Sequence, residues 1–282
     1  MTALDKVDFT DVVWGSVEWT NLCTLYLRAY ESRSPAPILG DTAAAEAVDR
    51  IEYDWARMRR AMRPAVNQYL VTMRARQLDD WSADFLRRNP DAVVLHLGCG
   101  MDTRAFRLHP PDTARWFDVD QPAVIALRRK LYDDRDGYRM IGSSVTEEWL
   151  DEIPTDRPML MVAEGLLMYL TEPEVRTLLQ RLTDRFGAGE LVFDTVSPMG
   201  PRLSKVLTKG IIRWGIRDTR DIERWNPRLR FLERSAAGAL YERIPSAPLR
   251  LLWRLVNATP MRDYDVLNRF AFSVVRAPAR NP

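Results

Sequence analysis

The sequence predicts an α/β protein: a mostly parallel sheet preceded by a block of helices and followed by a smaller cap. Three observations predict it. Short apolar runs of strand length recur between residues 92 and 194, helical stretches separate most of them, and the first run ends in the glycine turn Gly98-Cys99-Gly100. Strands that alternate with helices pair in parallel, because each crossover helix returns the chain to the same edge of the sheet. The chain has 282 residues, enough for one large domain or one domain with a cap.

Helices are expected over residues 1–90. Trp19 to Arg33 carries Leu22, Leu25, Tyr26 and Ala29 at helical spacing, and Ser34-Pro35-Ala36-Pro37 breaks it. Asp41 can cap a second helix running through Ala43-Ala44-Ala45 toward Met62. Pro64 opens a third that lasts to about Arg88 and stops at Asn89-Pro90. The expected core spans 91–198. Its strands are Ala92 to Leu97, Arg115 to Val119, Tyr138 to Ile141, Pro158 to Ala163 and Glu190 to Asp194, with helices over Gln121 to Tyr132 and Glu172 to Phe186. After Ser197-Pro198 the alternation stops. Residues 199–265, with Trp214, Trp225, Trp253 and several prolines, are expected to form a cap or substrate insertion. Residues 266–282 would supply a last strand, Arg269 to Val275, and a tail.

Composition excludes several classes. A formal charge of +2 and scattered arginines give no basic tract for nucleic acid. Lysine appears only at Lys6, Lys130, Lys205 and Lys209, which fits codon bias in a GC-rich genome. Cys23 and Cys99 form no disulfide framework, and two isolated cysteines with two isolated histidines give no metal-ligand spacing. Met1 to Phe9 carries Asp5, Lys6 and Asp8 without an apolar stretch, so no signal peptide is expected. No apolar run reaches the roughly 20 residues that span a bilayer. A cytoplasmic enzyme with a small-molecule substrate is expected, with no membrane or nucleic-acid partner; a homodimer is left open.

The residues that carry chemistry lie at strand ends, where open α/β sheets bind their ligands. Glycines at 98 and 100 let the backbone approach a ligand with no Cβ in the way. Thr103 stands where a dinucleotide fingerprint has its third glycine, so the turn suits a nucleoside without pyrophosphate better than NAD. Asp118 and Asp120 end the second strand about 20 residues later, where an acid can accept from ribose hydroxyls. Either could instead cap the helix that opens at Pro122. Glu164 follows the fourth apolar run directly, and a carboxylate there needs a partner, either a ligand or a nearby arginine.

Together these stretches resemble the leucine carboxyl methyltransferase family, most closely its bacterial branch of tetracenomycin-type polyketide O-methyltransferases. The resemblance rests on Gly98 to Arg104, Phe117 to Pro122 and Ala163 to Leu170, and extends to Leu27 to Arg33 and Met73 to Asp80. It implies a Rossmann-like class I methyltransferase sheet with an N-terminal helical extension and a helical cap, using S-adenosylmethionine (SAM). Arg74 would pair with the SAM carboxylate, Gly98 would lie beside the methionine moiety, Asp120 would hold the ribose, and Glu164 would sit near the sulfonium end. The cofactor-binding set expected is Arg74, Gly98, Cys99, Gly100, Asp118, Asp120, Gln121, Ser144, Val145, Glu164 and Gly165. One departure stands out. Relatives carry an acid that reads the adenine amino group after the third strand, and here the stretch is Gly142-Ser143-Ser144-Val145.

The implied reaction is O-methylation of a small polyketide-like acceptor at a carboxylate or a phenol. Methyl transfer from sulfonium is an in-line displacement that depends on alignment and exclusion of water. A phenol must lose its proton, whereas a carboxylate is already ionised at neutral pH. His96 falls within a buried strand, where a core histidine bonded to backbone is expected, and His109 falls in a loop, so no histidine base is evident. Tyr26, Arg28 and Tyr169 are the candidates to contact the acceptor, and Trp214, Trp225 and Arg217 could wall a flat aromatic substrate. Two alternatives stay open: the same fold recruited to a non-methylating reaction, which Ser144 would explain, and methylation of a protein C-terminus.

Overall fold

A computed structural model describes residues 6–207 and 210–273. A two-residue strand, β1 (Val7–Asp8), leads to α1 (Val17–Ser32) and α2 (Thr42–Arg50). Then come β2 (Ile51–Glu52), which pairs with β1, α3 (Trp55–Met62) and the long α4 (Pro64–Arg88). Asp41 caps α2 by accepting from Ala44 N at 3.0 Å, as its position predicts. The second helix does not run through to Met62. Ile51 turns extended, and Asp54 caps a new helix by accepting from Arg57 N at 2.8 Å. The buried carboxylate of Glu31 accepts from the backbone of Ile38, Leu39 and Gly40, which holds the proline-rich turn against the end of α1.

The core alternates as expected: β3 (Val93–Leu97), α5 (Arg104–Arg107), β4 (Arg115–Asp120), α6 (Pro122–Arg128), β5 (Tyr138–Gly142), β6 (Met159–Ala163), α7 (Glu172–Arg185) and β7 (Ala188–Val196). Beyond it lie α8 (Met199–Leu207), α9 (Asp221–Trp225), β8 (Leu229–Ala236), α10 (Ala247–Asn257) and β9 (Asp265–Ser273). The main sheet has the order β5-β4-β3-β6-β7-β9-β8. Its first five strands are parallel, and β9 runs antiparallel to both β7 and β8.

Each central strand is apolar on both faces, which is why the runs read as continuous. Val93, Leu95 and Leu97 face α7 through Val175, Leu178 and Leu182. Val94 with Trp116, Leu160 and Val162 faces α4 through Leu78, Trp81 and Phe85.

Two expectations change here. The stretch 199–265 is not all cap, because Leu229–Ala236 is the edge strand of the sheet. Its alternating, charge-rich sequence hid it: an edge strand buries little, and a bulge between Phe231 and Glu233 breaks its register. The last strand starts four residues earlier than expected, at Asp265, while Val274 and Val275 lie outside the described residues. Trp214 is buried in the core and Trp225 is half-buried against it. Their rings pack 6.0 Å apart against the α7 side of the core, with Arg176 over Trp225 at 4.2 Å.

Candidate functional site

The site is assembled at the carboxyl ends of β4, β3 and β6, with β3 in the middle. At the tip of β3 the chain turns through Gly98 (φ 62°) and Gly100 (φ 50°), both left-handed. Gly98 N donates to Val119 O at 2.8 Å and Gly100 N to the Asp120 carboxylate at 2.7 Å, so the turn is tied to β4. A Cβ at Gly100 would lie 2.8 Å from Asn21 Oδ1, and one at Gly98 would lie 3.0 Å from Leu166 Cδ1. Gly100→Ala combines that clash with the roughly 1–2 kcal/mol that left-handed geometry costs an L-residue. It is expected to weaken nucleoside binding by about tenfold, measured by calorimetry with S-adenosylhomocysteine; wild-type affinity would show that the turn does not define the site.

Asp120 ends β4 half-buried at that turn. Its second oxygen accepts from Gln121 N at 2.7 Å. Burial raises its pKa against the pull of the Gly100 and Gln121 hydrogen bonds. A carboxylate offers about four lone pairs, and two remain for ribose hydroxyls. Ser143 N bonds Asp120 O at 2.9 Å, which brings Ser144 to the same edge, its hydroxyl paired with Thr146 Oγ1 at 2.8 Å. Val145 is a core residue whose carbonyl is taken by Trp149.

On the other side of the glycine turn stands Glu164. Three guanidinium groups converge on it: Arg28 at 3.0 Å, Arg74 at 3.1 Å and Arg104 at 2.5 Å. Burial would raise its pKa, but Arg28, Arg74 and Arg104 outweigh that and hold it at about 2. Arg74 also reaches Asp194 on β7 at 3.0 Å and Asp265 on β9 at 3.5 Å. Gly165 N donates to Asp194 at 2.7 Å, with a left-handed φ of 66° that leaves no side chain against Arg74.

Several expected site residues lie elsewhere. Asp118 is fully buried and bonded to Arg128 (2.5 Å), Tyr138 Oη (2.6 Å), His96 Nδ1 (2.9 Å) and Trp116 Nε1 (2.9 Å), so it braces the sheet and cannot meet a ribose. Residues alternate along a strand, but Asp118 stops one pleat short of the tip that Asp120 occupies. The Cys99 side chain points into the core, where burial pushes its thiol far up. Arg28 is buried, with its guanidinium held by Glu164 and Asp102 (3.4 Å). Tyr26 packs on Trp55 on the opposite side of α1, ring centroids 5.4 Å apart and nearly parallel. Tyr169 is the exception: it is 45% exposed near Arg74 and Asp194. His96 is in the core as expected, but its partners are Asp118 and Arg104 (3.2 Å), not backbone.

Sequence reasoning missed Asp79, Asp102, Arg104 and Arg107, the network that carries Glu164 into the interior. Arg104 bonds Asp79 at 2.7 Å, and Arg107 bonds Asp79 at 2.6 Å, Asp102 at 2.6 Å and Asp41 at 2.9 Å. Asp194 was legible by the same logic as Asp120 and Glu164, since it too lies near the end of a buried run. Asp265 was not, because it opens a strand and reaches this edge only through the antiparallel direction of β9.

These residues fit SAM. Left-handed Gly98 and Gly100 make a turn with no room for a Cβ, Arg74 presents a guanidinium fork, and Asp120 keeps two lone pairs. Arg28 and Arg104 help neutralise Glu164, so Arg74 is left to face Asp194 and Asp265 as well, which suits a ligand bearing a cationic ammonium group. When bound, the group supplies a methyl activated by positive sulfur.

Comparison with known proteins agrees with this geometry. Residues 21–183 match the leucine carboxyl methyltransferase family. The tetracenomycin polyketide synthesis O-methyltransferase TcmP of Streptomyces glaucescens is 48% identical over 223 residues, covering 77% of this chain and 82% of that protein. The S-adenosyl-L-methionine-dependent methyltransferase dpfgK of Gibberella zeae is 36% identical over 254 residues, covering 81% and 85%. A solved structure of a candidate methyltransferase from Thermobifida fusca shares the fold, with a TM-score of 0.57 at 18% identity over 88% of this chain and 94% of that one. Since the family match takes in more than half of the residues and the TcmP likeness spans most of both proteins, the chain belongs to the leucine carboxyl methyltransferase family.

Proposed function

We propose that this protein is a SAM-dependent O-methyltransferase that esterifies a carboxylate of a small polyketide-like acceptor. The observation that carries the reading is Arg74 and Asp120 at one edge of the sheet, on either side of the Gly98–Gly100 turn. Asp120 would hold the ribose, with Gln121 beside it, and Arg74 the methionine carboxylate. Glu164 fixes the Arg74 fork through Nε. The adenine amino group is uncharged, so a hydroxyl acceptor at Ser144 can replace an acid there, and Val145 would flank the ring. The 48% identity to a polyketide O-methyltransferase supports the acceptor class.

A carboxylate is favoured over a phenol because His96, the histidine nearest the site, has both ring nitrogens engaged and is buried. An acceptor already ionised at neutral pH needs no proton removed. Tyr169 is exposed beside Arg74 and would line the acceptor side. The segment from 237 to 264, which packs Ile244, Leu249 and Trp253 against Tyr69 and Met73 of α4, would act as the cap. No helix among the described residues is long and apolar enough to cross a membrane, and the charge of +2 offers nothing to nucleic acid; we place the enzyme in the cytoplasm.

The test is transfer of labelled methyl from SAM to aromatic polyketide acids by the purified protein. The expected product is a methyl ester, which mild base hydrolyses, whereas an aryl methyl ether survives. Label found only in lysate protein would turn the assignment to a protein carboxyl methyltransferase.

A further inference from the structure

Three acids surround Arg74, and they differ in what remains for a ligand. Both oxygens of Glu164 accept from arginines, one from Arg28 and Arg74 and the other from Arg104. Both oxygens of Asp194 are engaged, by Gly165 N and Arg74 Nη1, and its side chain is fully buried. Asp265 is different. Its Oδ2 stands 3.5 Å from Arg74, and its Oδ1 is buried with no hydrogen-bond partner, although the side chain as a whole is 24% exposed. Asp102 Oδ2 also lacks a hydrogen bond, but it sits between Arg28 and Arg104, at 3.4 and 3.3 Å, which match its charge. An acceptor left unpaired in a protein interior is costly, so Asp265 Oδ1 calls for a donor from outside the chain.

Topology explains how Asp265 comes to this edge. It is the first residue of β9, opposite Val196, the last of β7, so it lies at the carboxyl ends of the parallel strands. Arg74 engages protein through Nε and Nη1, while Nη2, which packs at the Gly165 backbone, makes no hydrogen bond or ion pair among the described residues. An unpaired guanidinium nitrogen and an unpaired carboxylate oxygen therefore belong to two side chains that meet at 3.5 Å, the complement of a zwitterionic amino acid.

We propose that Asp265 completes a clamp for the amino-acid tail of the methyl donor, its Oδ1 accepting from the α-ammonium beside the Arg74 guanidinium that the donor assignment pairs with the carboxylate. This inference rests on the donor assignment above. Electrostatics support it. The charged groups facing Asp265 are Asp194 of β7, Arg74 of α4 and Glu164 at the end of β6. Burial, and then Asp194, raise its pKa from 3.8 to about 7, with Arg74 offsetting only part. Burial and the neighbouring acids thus oppose ionisation of Asp265, and an α-ammonium would supply a compensating charge.

The sign follows. The ammonium needs the ionised form of Asp265, so affinity for the tail falls as pH drops below about 7, by up to tenfold per pH unit. The test is calorimetry with two nucleosides: S-adenosylhomocysteine, which has the tail, and 5′-methylthioadenosine, which lacks it. Asp265→Asn is expected to weaken S-adenosylhomocysteine by about 10- to 100-fold and to leave methylthioadenosine unchanged. On the unaltered protein, S-adenosylhomocysteine affinity should decline between about pH 7.5 and 5.5 while methylthioadenosine stays level, a readout that holds even if the variant misfolds. Equal weakening of both nucleosides by Asp265→Asn, an unchanged S-adenosylhomocysteine affinity in that variant, or a flat pH profile for the wild type would each overturn the clamp and leave the donor assignment standing. Failure of the wild type to bind either nucleoside would overturn both.

Discussion

Asp118→Ala is expected to lower the thermal midpoint by roughly 6–20 °C, whereas Asp120→Ala two residues away leaves it nearly unchanged and instead weakens S-adenosylhomocysteine by about 10- to 100-fold. The two acids differ in what they hold. Asp118 is the counter-ion of Arg128, both fully buried at 2.5 Å, and it also accepts from Tyr138, Trp116 and His96. Removing it strands a guanidinium in the interior, which costs about 3–5 kcal/mol. In a domain of this size each kcal/mol moves the midpoint by about 2–4 °C. Arg128 also bonds Gly100 O at 3.0 Å, so the glycine turn loses an anchor too. Asp120 touches only backbone N–H groups at the surface of the turn, and its loss exposes them to water. Thermal melts and calorimetry on the two variants check this. An Asp118→Ala protein that melts like the wild type but no longer binds nucleoside would return Asp118 to the ribose.

Glu164→Gln should be the most damaging single substitution in the site. Glutamine keeps the shape but removes the charge on which Arg28, Arg74 and Arg104 converge. Three buried cations then share fewer acids, and a loss of about 3–5 kcal/mol at neutral pH is expected, together with at least tenfold weaker nucleoside binding as the Arg74 fork loses its Nε anchor. The pH dependence identifies the cause. Glu164 has its pKa lowered from 4.5 to about 2 in the folded protein. A depressed carboxylate contributes stability that is fully present above the unfolded value of 4.5 and is lost as pH falls toward about 2. The gap in melting temperature between wild type and Glu164→Gln should therefore be widest at neutral pH and close through that window. A gap that stays constant with pH would assign the damage to packing.

The strand and helix pattern of the core was legible from residue 64 onward because each central strand is buried on both faces and each helix has clear ends. Pro64 and Asn89 bound α4 where the sequence puts them. Gly98, Gly100, Asp120 and Glu164 were legible for a related reason: glycines and acids are conspicuous at the end of an apolar run. The edge strand β8 was not, since Leu229–Ala236 exposes one side and carries charge. The break between α2 and α3 was also hidden, because Ile51 and Glu52 have no turn residue before them and extend only through pairing with β1.

The α/β alternation, the glycine turn and the acids nearest it could be read from residue order alone, because these follow from local pattern and from the rule that ligands gather at strand ends. Tertiary structure decided the division of labour among the charges. Whether Asp118 or Asp120 faces outward, whether Arg28 meets an acceptor or Glu164, and whether Asp265 belongs to the site at all depend on partners brought in from elsewhere in the chain: Arg128 lies 10 positions from Asp118, Glu164 136 from Arg28, and Arg74 191 from Asp265. Electrostatic energy is set by separation in space and by burial, and neither quantity exists until the chain has closed on itself.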